Sequence, residues 1–512
     1  MKLKRCLFLT HRWLGVGMCL LFAMWFLSGV VMMYVHFPSL TLAERLSGLP
    51  AIDGATVRYF PQSLLSESPR SLRLTTLAGR PAWLAQSPTG KWHGVFADSG
   101  EAFAGLDASG AKMVVQLFLS SSGQENAAVG GVNQIEMDQW TVSGSLNSHR
   151  PLFQVHINDE YGTDLYVSSQ TGEVVRDTTR RERAWNWLGA NLHWIYPLAL
   201  RRHPVVWHWV VVVLSSIGLF SIITGLVVGV IRLRPKRPYR GRDWTPYRGI
   251  MKWHHVLGLT STLFLFTFML SGLLSMNPGS VFSSPNDYSA LAPSYQSAKS
   301  GQLDLPNLEV VRKALRDSPG VKEIRWHWLN GVSSPVMIRS ADDYQLLDEP
   351  SATMLEQQII HSANRALRAV SADAKLLDVA RLDNYDSYYY SHAGRWRPLP
   401  IFRLRYDDLD RSWLHVDART GELLSHLTSY DRAERWWYHG LHSLDFNVLI
   451  NNRPLWDIVM LALSMLGGSM ALTSIVIGWR RLRPHRRSRT SRRDRDVGFG
   501  DAQQAGQSTI RP

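Results

Sequence analysis

The sequence predicts an α-helical integral membrane bundle of four transmembrane helices, built as two tandem two-span repeats, with two α+β domains on one side of the membrane. Three observations predict this fold class. Four uncharged apolar runs are each long enough to cross a hydrocarbon core of about 30 Å. The excess positive charge is concentrated in the segments on one side of these runs. Two long stretches of the chain also match each other at fixed offsets.

The predicted spans are Leu14–Val35, Val205–Ile231, Val256–Met276 and Ile458–Trp479. Trp and Tyr residues lie near their ends, where amphipathic rings prefer the membrane interface. The first run lacks the short apolar core and small-residue cleavage site of a secretory signal, so we expect it to be an anchor.

The two cysteines, Cys6 and Cys19, exclude a disulfide scaffold, a Cys-rich zinc site and a c-type haem attachment.

Charge predicts the orientation of the spans. Residues 1–12, 232–253 and 480–512 carry a net charge of +18, whereas the rest of the chain carries −4. Since Lys and Arg accumulate in cytoplasmic loops, these three segments are predicted to be cytoplasmic. The basic clusters adjoin the spans, so we interpret the charge as topology and not as nucleic-acid binding. The Arg-rich tail is expected to be a disordered end that contacts anionic lipid or stays solvated.

The predicted organisation has eight parts. They are 1–36 (N-terminus and first span), 37–183 (first polar domain), 184–231 (interfacial segment and second span), 232–253 (basic loop), 254–276 (third span), 277–431 (second polar domain), 432–479 (interfacial segment and fourth span) and 480–512 (basic tail). Short β-type runs such as Leu152–Ile157 and Phe402–Tyr406 alternate with Gly, Asp and Asn turns in the polar parts. Both polar parts are therefore predicted to contain β-strands.

The two halves of the chain match as an internal repeat. At an offset of 243 residues, the matches are His11–Gly15 with His254–Gly258 and Ser28-Gly29 with Ser271-Gly272. At an offset of 249 residues, they include Thr171–Glu173 with Thr420–Glu422 and Leu192-His193 with Leu441-His442. Two spans per repeat restore the orientation, so the repeats are predicted to be parallel about an axis along the membrane normal. Residues related by that axis can approach each other.

Two repeat-related histidine pairs are the candidate site. His11 and His254 begin the first and third spans, and His193 and His442 precede the second and fourth spans on the opposite side. Histidine near a span is a functional candidate because it is costly to bury there. Two facing histidines can fill both axial positions of a haem, which is the arrangement used to move electrons. We therefore predict two haem b groups, with His11/His254 and His193/His442 as ligands of the haem iron.

Other membrane-proximal histidines are alternatives. His255 follows His254 and points about 100° away on a helix, so one of the two is expected to face the axis. We choose His254 because it matches His11. His439 lies three residues before His442, but its repeat counterpart is Ala190, and His208 in the second span is a reserve candidate. The alternative without a cofactor is that all of these histidines contact lipid headgroups or cap helices.

The motif His11–Gly15, the run Trp253–Gly258 with Ser271–Pro278, and the stretch Asp386–Tyr390 resemble the PepSY-associated transmembrane proteins, also called iron-regulated inner-membrane proteins. The segments that end in Thr171–Glu173 and Thr420–Glu422 are similar to PepSY modules, so the polar domains are expected to be PepSY-like. The resemblance extends over nearly the whole chain to Pro484. It departs at Pro197, soon after His193, where the local helix is expected to be shorter.

The resemblance implies a function as well as a fold. Some members of the family resemble di-haem ferric-siderophore reductases of the bacterial inner membrane, whose Leu-His before a returning span matches His193 and His442. It implies periplasmic domains, cytoplasmic termini, and an oxidoreductase that passes electrons to a ferric siderophore or a similar iron complex. No GxGxxG or GxxxxGK[ST] motif is present, so we expect a quinol or a protein as electron donor. The sequence assigns no catalytic residue.

Two other function classes are weighed against this one. PepSY modules are also linked to peptidase inhibition, so the chain is alternatively a non-enzymatic regulatory or assembly protein of the cell envelope. A permease is less well supported, because the predicted spans contain no acidic residue. For the aromatic residues Tyr388, Tyr389, Tyr390 and Trp396, we weigh docking of the iron complex against packing in a domain core.

Overall fold

The computed structural model describes residues 2–60, 64, 69–239, 244–297, 307–348, 350–391 and 396–483. The helices are α1 Lys2–Met32, α2 Leu42–Ser47, α3 Ala108–Ser121, α4 Arg180–Leu188, α5 Ala190–His193, α6 Leu198–Arg201, α7 Pro204–Arg232, α8 Ile250–Leu274, α9 Leu291–Gln296, α10 Leu308–Asp317, α11 Ala352–Val370, α12 Ser429–Glu434, α13 Asn447–Ile450 and α14 Arg453–Leu482. A π-helical turn covers Arg435–Gly440. The predicted disorder of the basic tail concerns residues 484–512, outside the described residues.

The strands are β1 Ser71–Leu77, β2 Arg80–Gln86, β3 Trp92–Phe96, β4 Ala102–Phe103, β5 Ala128–Ile135, β6 Leu152–Asn158, β7 Asp164–Ser168, β8 Val174–Thr178, β9 Glu323–Leu329, β10 Val332–Ile338, β11 Tyr344–Leu346, β12 Leu376–Leu382, β13 Ile401–Tyr406, β14 Trp413–Asp417 and β15 Leu423–Leu427. The two β-type runs chosen from the sequence lie in β6 and β13. The presence of β-sheet in both polar parts is confirmed.

Four helices within the described residues are long and apolar enough to span a membrane: α1, α7, α8 and α14. This confirms a multi-pass membrane protein with four spans. The helical limits differ from the predicted apolar runs. Helix α1 begins at Lys2 and α14 begins at Arg453 and includes Asp457, whereas α1 ends at Met32 and α8 at Leu274, two or three residues before the predicted ends. We call the end of the bundle near α5 and the sheets the domain side, and the end near residues 233–249 the loop side.

The bundle is a ring in which α1 and α8 each pack against both α7 and α14. Glycines allow two of these close approaches. A Cβ atom at Gly467 would lie 2.3 Å from the ring of Phe26, and one at Gly218 would lie 3.0 Å from Met269. Small residues at helix interfaces let neighbouring backbones approach closely in lipid. The large side chains of α1 and α8 therefore fill space left by α14 and α7.

Three antiparallel sheets lie on the domain side. Strands β5–β8 and β12–β15 form two four-stranded sheets in chain order. The third sheet has seven strands in the order β11-β10-β9-β1-β2-β3-β4, so it combines strands from both polar parts. Its central pairing aligns Leu72 with Trp326 and Leu74 with Ile324. The two polar parts therefore share a continuous sheet.

Each four-stranded sheet is covered by a helix, and the core of the second one also takes in Leu329, Val336 and Ile338 of the seven-stranded sheet. Helix α3 covers β5–β8 through Val115 and Leu119, and α11 covers β12–β15 through Ile359 and Leu367. The core of the seven-stranded sheet also draws on both polar parts. Its buried members are Ile52, Val57, Leu72, Leu74, Trp83, Ala85, Ala97, Val311, Leu315, Val321, Ile324, Trp326, Trp328 and Met337. Burial of this apolar surface favours the joined arrangement.

A buried ionic cluster crosses the same junction. Arg45 of α2 lies 2.8 Å from Glu323 of β9 and 3.5 Å from Glu173, which Arg73 of β1 also contacts at 2.5 Å. Arg325 contacts the second oxygen of Glu323 at 2.9 Å. Burial alone would raise the pKa of Glu323, but attraction to Arg45 and then to Arg325 and Arg73 outweighs it, so the pKa lies below its usual range. The Glu323 side chain is fully buried and charged.

Two capping boxes start the short helices that lead from the sheets to the bundle. Thr179 and Glu182 cap α4 reciprocally, and Thr428 and Asp431 do the same for α12. In a capping box each side chain satisfies a backbone N–H that the first helical turn leaves without a partner. These caps fix where the chain leaves each four-stranded sheet and turns toward the histidine-bearing segments.

Replacement of Asp177 by Asn is expected to stabilise the domains at neutral pH. Burial, followed by repulsion from Glu44 and Glu182, raises the pKa of Asp177 to about 6. An acid whose pKa is raised by folding destabilises the fold as pH rises from its unfolded pKa near 4 through its folded pKa. We expect Asp177→Asn to raise the free energy of unfolding by about 1–2 kcal/mol at pH 7.5.

Thermal unfolding in detergent between pH 4 and pH 8 measures this difference, which should vanish at about pH 4. The matched control is Asp317→Asn, since Asp317 is exposed at the end of α10. An equal stability gain at both pH values would contradict a titration effect.

Candidate functional site

The structure brings the four predicted histidines together as two pairs at opposite ends of the bundle. On the loop side, the ring centres of His11 and His254 are 6.4 Å apart and the ring planes differ by 34°. On the domain side, the ring centres of His193 and His442 are 6.0 Å apart and the planes differ by 72°. His11 and Ser28, which contacts His193, are roughly 26 Å apart along α1 at 1.5 Å per residue.

Neighbouring helices hold the loop-side pair through the Nδ1 atoms. His11 Nδ1 lies 3.3 Å from the carbonyl oxygen of Ser221 on α7. His254 Nδ1 lies 3.1 Å from Oγ1 of Thr473 on α14. Because the Thr473 hydroxyl donates to the carbonyl oxygen of Met470, its oxygen accepts from His254.

The spans hold the domain-side pair in the same manner. His193 Nδ1 lies 3.2 Å from the carbonyl oxygen of Trp25 and 3.1 Å from Oγ of Ser28, both on α1. His442 Nδ1 lies 3.2 Å from the carbonyl oxygen of Phe268 and 3.0 Å from Oγ of Ser271, both on α8. Each imidazole therefore docks at the domain-side end of a span.

The domain-side imidazoles lie beside glycines of the spans, where a Cβ atom would be in ordinary van der Waals contact with the ring. A Cβ atom at Gly29 would lie 3.4 Å from Cε1 of His193, and one at Gly272 would lie 3.5 Å from Cε1 of His442. Burial, with a contribution from His442, lowers the pKa of His193 to about 3. Burial also lowers the pKa of His442. Both imidazoles are therefore neutral at neutral pH, which is the form that binds metals.

The hydrogen bonds also define the tautomer. A carbonyl oxygen only accepts, so a neutral imidazole that bonds to it through Nδ1 carries its proton there and has its lone pair on Nε2. Within the part of the chain that the structure describes, no hydrogen bond to Nε2 of these four histidines is found. Fixing Nδ1 in this way is how metal-binding histidines are oriented.

The spacing of each pair fits one metal ion between two imidazoles. A metal–imidazole bond is about 2.0–2.1 Å long, which puts two nitrogens on opposite sides of an ion about 4 Å apart and their ring centres roughly 6 Å apart. Both observed separations are close to this value. Two neutral imidazoles on opposite sides are the donor set of a haem iron without an open position.

Space for a flat group exists beside the loop-side pair. Gly15 and Gly258 lie one helical turn after His11 and His254, and a Cβ atom at either glycine would meet no other atom within 4 Å. Residues four positions apart share a helix face. The space next to these two glycines is therefore open on the helix faces that carry the histidine pair, which is compatible with a flat group such as a haem macrocycle.

The alternative histidines lie elsewhere. His255 is buried, with Nδ1 2.7 Å from Oγ1 of Thr245 and Nε2 2.9 Å from the carbonyl oxygen of Gly229, so both ring nitrogens are hydrogen-bonded. His208 is half-buried on α7 beside Trp209. The ring centre of His439 lies 4.7 Å from that of Tyr438, which also contacts His442. The structure thus places His254, and not His255, opposite His11.

Aromatic rings connect part of the space between the two pairs. Phe26 contacts Phe264, which contacts Phe268, and Phe268 lies 5.9 Å from His442.

The histidine partners Ser28, Ser271 and Thr473 were not predicted as site residues. The match of Ser28-Gly29 with Ser271-Gly272 was the sequence feature that could have identified two of them.

The aromatic residues predicted for docking have different environments. Tyr389 is 1% exposed and donates to the carbonyl oxygen of Pro398. Tyr390 donates to Asp445, and Tyr388 accepts from Trp436. Trp396 is 46% exposed. The tyrosine hydroxyls are therefore bound within the chain, and Trp396 alone of the four presents a large exposed ring.

Four helices able to span a membrane, a histidine pair at each end of the bundle and sheets on one side define a class of multi-pass membrane protein. The family model for the PepSY-associated TM region matches residues 8–326. The chain therefore belongs to the PepSY-associated transmembrane family, as predicted. No curated protein matches the chain.

Proposed function

We propose that the chain is a di-haem b electron-transfer protein of the bacterial inner membrane that reduces a ferric siderophore or a similar iron complex. His11 and His254 hold one haem, and His193 and His442 hold the other. A haem held by two imidazoles supplies reversible one-electron transfer at iron and leaves no position for a substrate on the metal. The observation that carries this proposal is the pairing of the four histidines, each hydrogen-bonded through Nδ1 and without a hydrogen bond at Nε2 from any residue that the structure describes.

The chain's own residues orient the imidazoles and keep water away. Carbonyl oxygens of Trp25 and Phe268 hold the domain-side pair, and Ser221 and Thr473 hold the loop-side pair. The domain-side contacts follow the first offset of the sequence matches, because Trp25 and Phe268 differ by 243 residues. This supports tandem repeats related by an axis between α1 and α8.

The remaining features of the proposal concern the two sides. The loop side is cytoplasmic, since its segments carry the net charge of +18, and the domains are periplasmic. A quinol or a protein donates electrons on the loop side. The ferric complex docks on the domain side, where the exposed ring of Trp396 offers an aromatic contact.

Haem content tests the proposal directly. The full chain, purified in mild detergent, should give a reduced-minus-oxidised spectrum of b type and about two haems per chain in a pyridine haemochrome assay. Reduced protein should then be reoxidised by a ferric hydroxamate complex. A colourless protein from cells well supplied with haem would overturn the proposal and favour a regulatory role for the PepSY-like domains.

A further inference from the structure

The loop Asp386–Tyr390, between β12 and β13, has a fixed conformation. One oxygen of the Asp386 carboxylate accepts hydrogen bonds from the backbone N–H of Tyr388 at 2.9 Å and of Tyr389 at 2.8 Å. This is the turn in which an aspartate caps its own following backbone. Tyr389 is buried beneath it, 5.2 Å from the ring of His415.

Ionic and hydrogen bonds tie this loop to the second four-stranded sheet. Arg403 of β13 donates to Asp386 from both terminal nitrogens, at 2.6 and 3.0 Å, and its Nε donates to Nε2 of His415 at 2.8 Å. His415 Nδ1 in turn lies 2.9 Å from Oγ of Ser425 on β15. Burial and then the neighbouring Arg403 lower the pKa of His415 to about 3, so the imidazole is neutral and accepts from Arg403.

The other face of the loop contacts the segment that carries His442. Arg435 donates to the carbonyl oxygen of Ser387 and to that of Asp445, and its guanidinium lies 5.1 Å from the ring centre of Tyr390. The Tyr390 hydroxyl donates to the Asp445 carboxylate at 3.0 Å. Arg435 and Asp445 are 7% and 4% exposed. They lie seven residues before and three residues after His442.

The segment between these two residues is helical as far as His442 and leaves regular structure immediately after it. It contains a π-helical turn, and Leu444 has a positive φ of 51°. A non-glycine residue in this region is strained and persists only when its surroundings determine it. Because Arg435 and Asp445 are buried, their bonds to the loop are costly to break.

We propose that Arg435, Asp445 and Tyr390 are positioning residues that fix the backbone on both sides of His442 relative to the second domain. This inference rests on the proposed function in so far as His442 binds iron. The loop, held by Arg403 and His415, is the fixed base. Arg435 and Asp445 are the two attachment points, and Ser271 and Phe268 then orient the imidazole itself.

The other member of the pair is held by different chemistry. Gln139 donates from Nε2 to Asn191 Oδ1 at 3.0 Å and to the carbonyl oxygen of Tyr196 at 2.6 Å, and its Oε1 accepts from the N–H of Leu198 at 2.9 Å. These attachment points lie on both sides of His193. The neutral amide of Gln139 thus fixes the backbone around His193, whereas Arg435, Asp445 and Tyr390 fix the backbone around His442. A substitution in one set therefore perturbs one histidine segment without the other.

Tyr390→Phe removes one hydroxyl and tests the inference. Loss of a hydrogen bond to a carboxylate of about 1.5–3 kcal/mol corresponds to roughly tenfold to hundredfold faster local opening. We expect amide hydrogen exchange in residues 441–446 to accelerate by this factor, with residues 190–198 unchanged. One of the two low-spin haem signals in electron paramagnetic resonance should shift and the other should stay. Arg435→Lys, which keeps the charge but loses the forked donor, should act in the same direction.

The control is Tyr385→Phe, since Tyr385 is 40% exposed near the same loop and donates to the carbonyl oxygen of Arg397. Unchanged exchange and unchanged haem signals in both test variants would overturn the inference, as would acceleration spread evenly over the second domain. Accelerated exchange in 441–446 in a protein that binds no haem would refute the proposed function and still support the positioning of this segment.

Discussion

His193→Ala and His254→Ala are each expected to lower the haem content from about two to about one per chain. Each variant removes one imidazole of a pair whose ring centres lie 6.0 or 6.4 Å apart. A haem that these histidines would hold would lose one of its two protein ligands, so it would be lost or its spectrum would change. Pyridine haemochrome quantitation and the optical spectrum of the purified variants measure both outcomes.

Double variants make this prediction sharper. His193→Ala with His442→Ala removes one complete pair, so it should lose no more haem than either single variant. His193→Ala with His254→Ala damages both pairs and should lose nearly all haem. His208→Ala is the control, because His208 lies on α7 outside both pairs. Equal haem content in all of these variants would exclude the four histidines as ligands.

Arg45→Met is expected to cost about 3–5 kcal/mol of stability, because it leaves Glu323 buried without its closest cation. The Glu323 side chain is fully buried, and the partner that remains on it, Arg325, is 32% exposed. Thermal and urea unfolding of the full chain in detergent measure the loss. The effect should exceed that of any surface ion pair in the protein, since exposed pairs contribute about 0–1 kcal/mol.

A second substitution separates charge from packing. Arg45→Met with Glu323→Gln removes the uncompensated charge and should recover part of the lost stability. The matched control is Arg312→Met, which breaks the 2.7 Å pair with Glu309 on the surface of α10. If the double variant is as unstable as Arg45→Met, the loss comes from packing of the arginine stem.

Hydropathy was sufficient to find the four spans but not their helical limits. The sequence interpretation began the first span at Leu14 because Lys2 to Arg12 are too polar to count as membrane residues. A helix can continue beyond the membrane because its backbone hydrogen bonds do not require an apolar environment. Helix α1 therefore starts at Lys2, before the apolar run. Strand patterns identified β6 and β13, but the pairing of β1 with β9 joins residues about 250 positions apart, and a strand pattern does not name its partner.

The candidate site depended on the internal matches more than on any single histidine. Helical geometry states that His254 and His255 point in different directions but not which one faces the bundle axis. The structure answers this through Thr245 and Gly229, which bind both ring nitrogens of His255. The positioning role proposed for Arg435 could not be predicted, because an arginine in an aromatic segment near the membrane resembles an ordinary interfacial anchor.

The seven-stranded sheet has a consequence for the timing of synthesis. Leu74 is made 250 residues before its partner Ile324. At about 5–20 residues per second, the ribosome needs roughly 12–50 s to supply that partner. During this interval β1 is an open strand edge, which is a template for wrong pairing. The seven-stranded sheet can therefore be completed only after two further spans, α7 and α8, have been made.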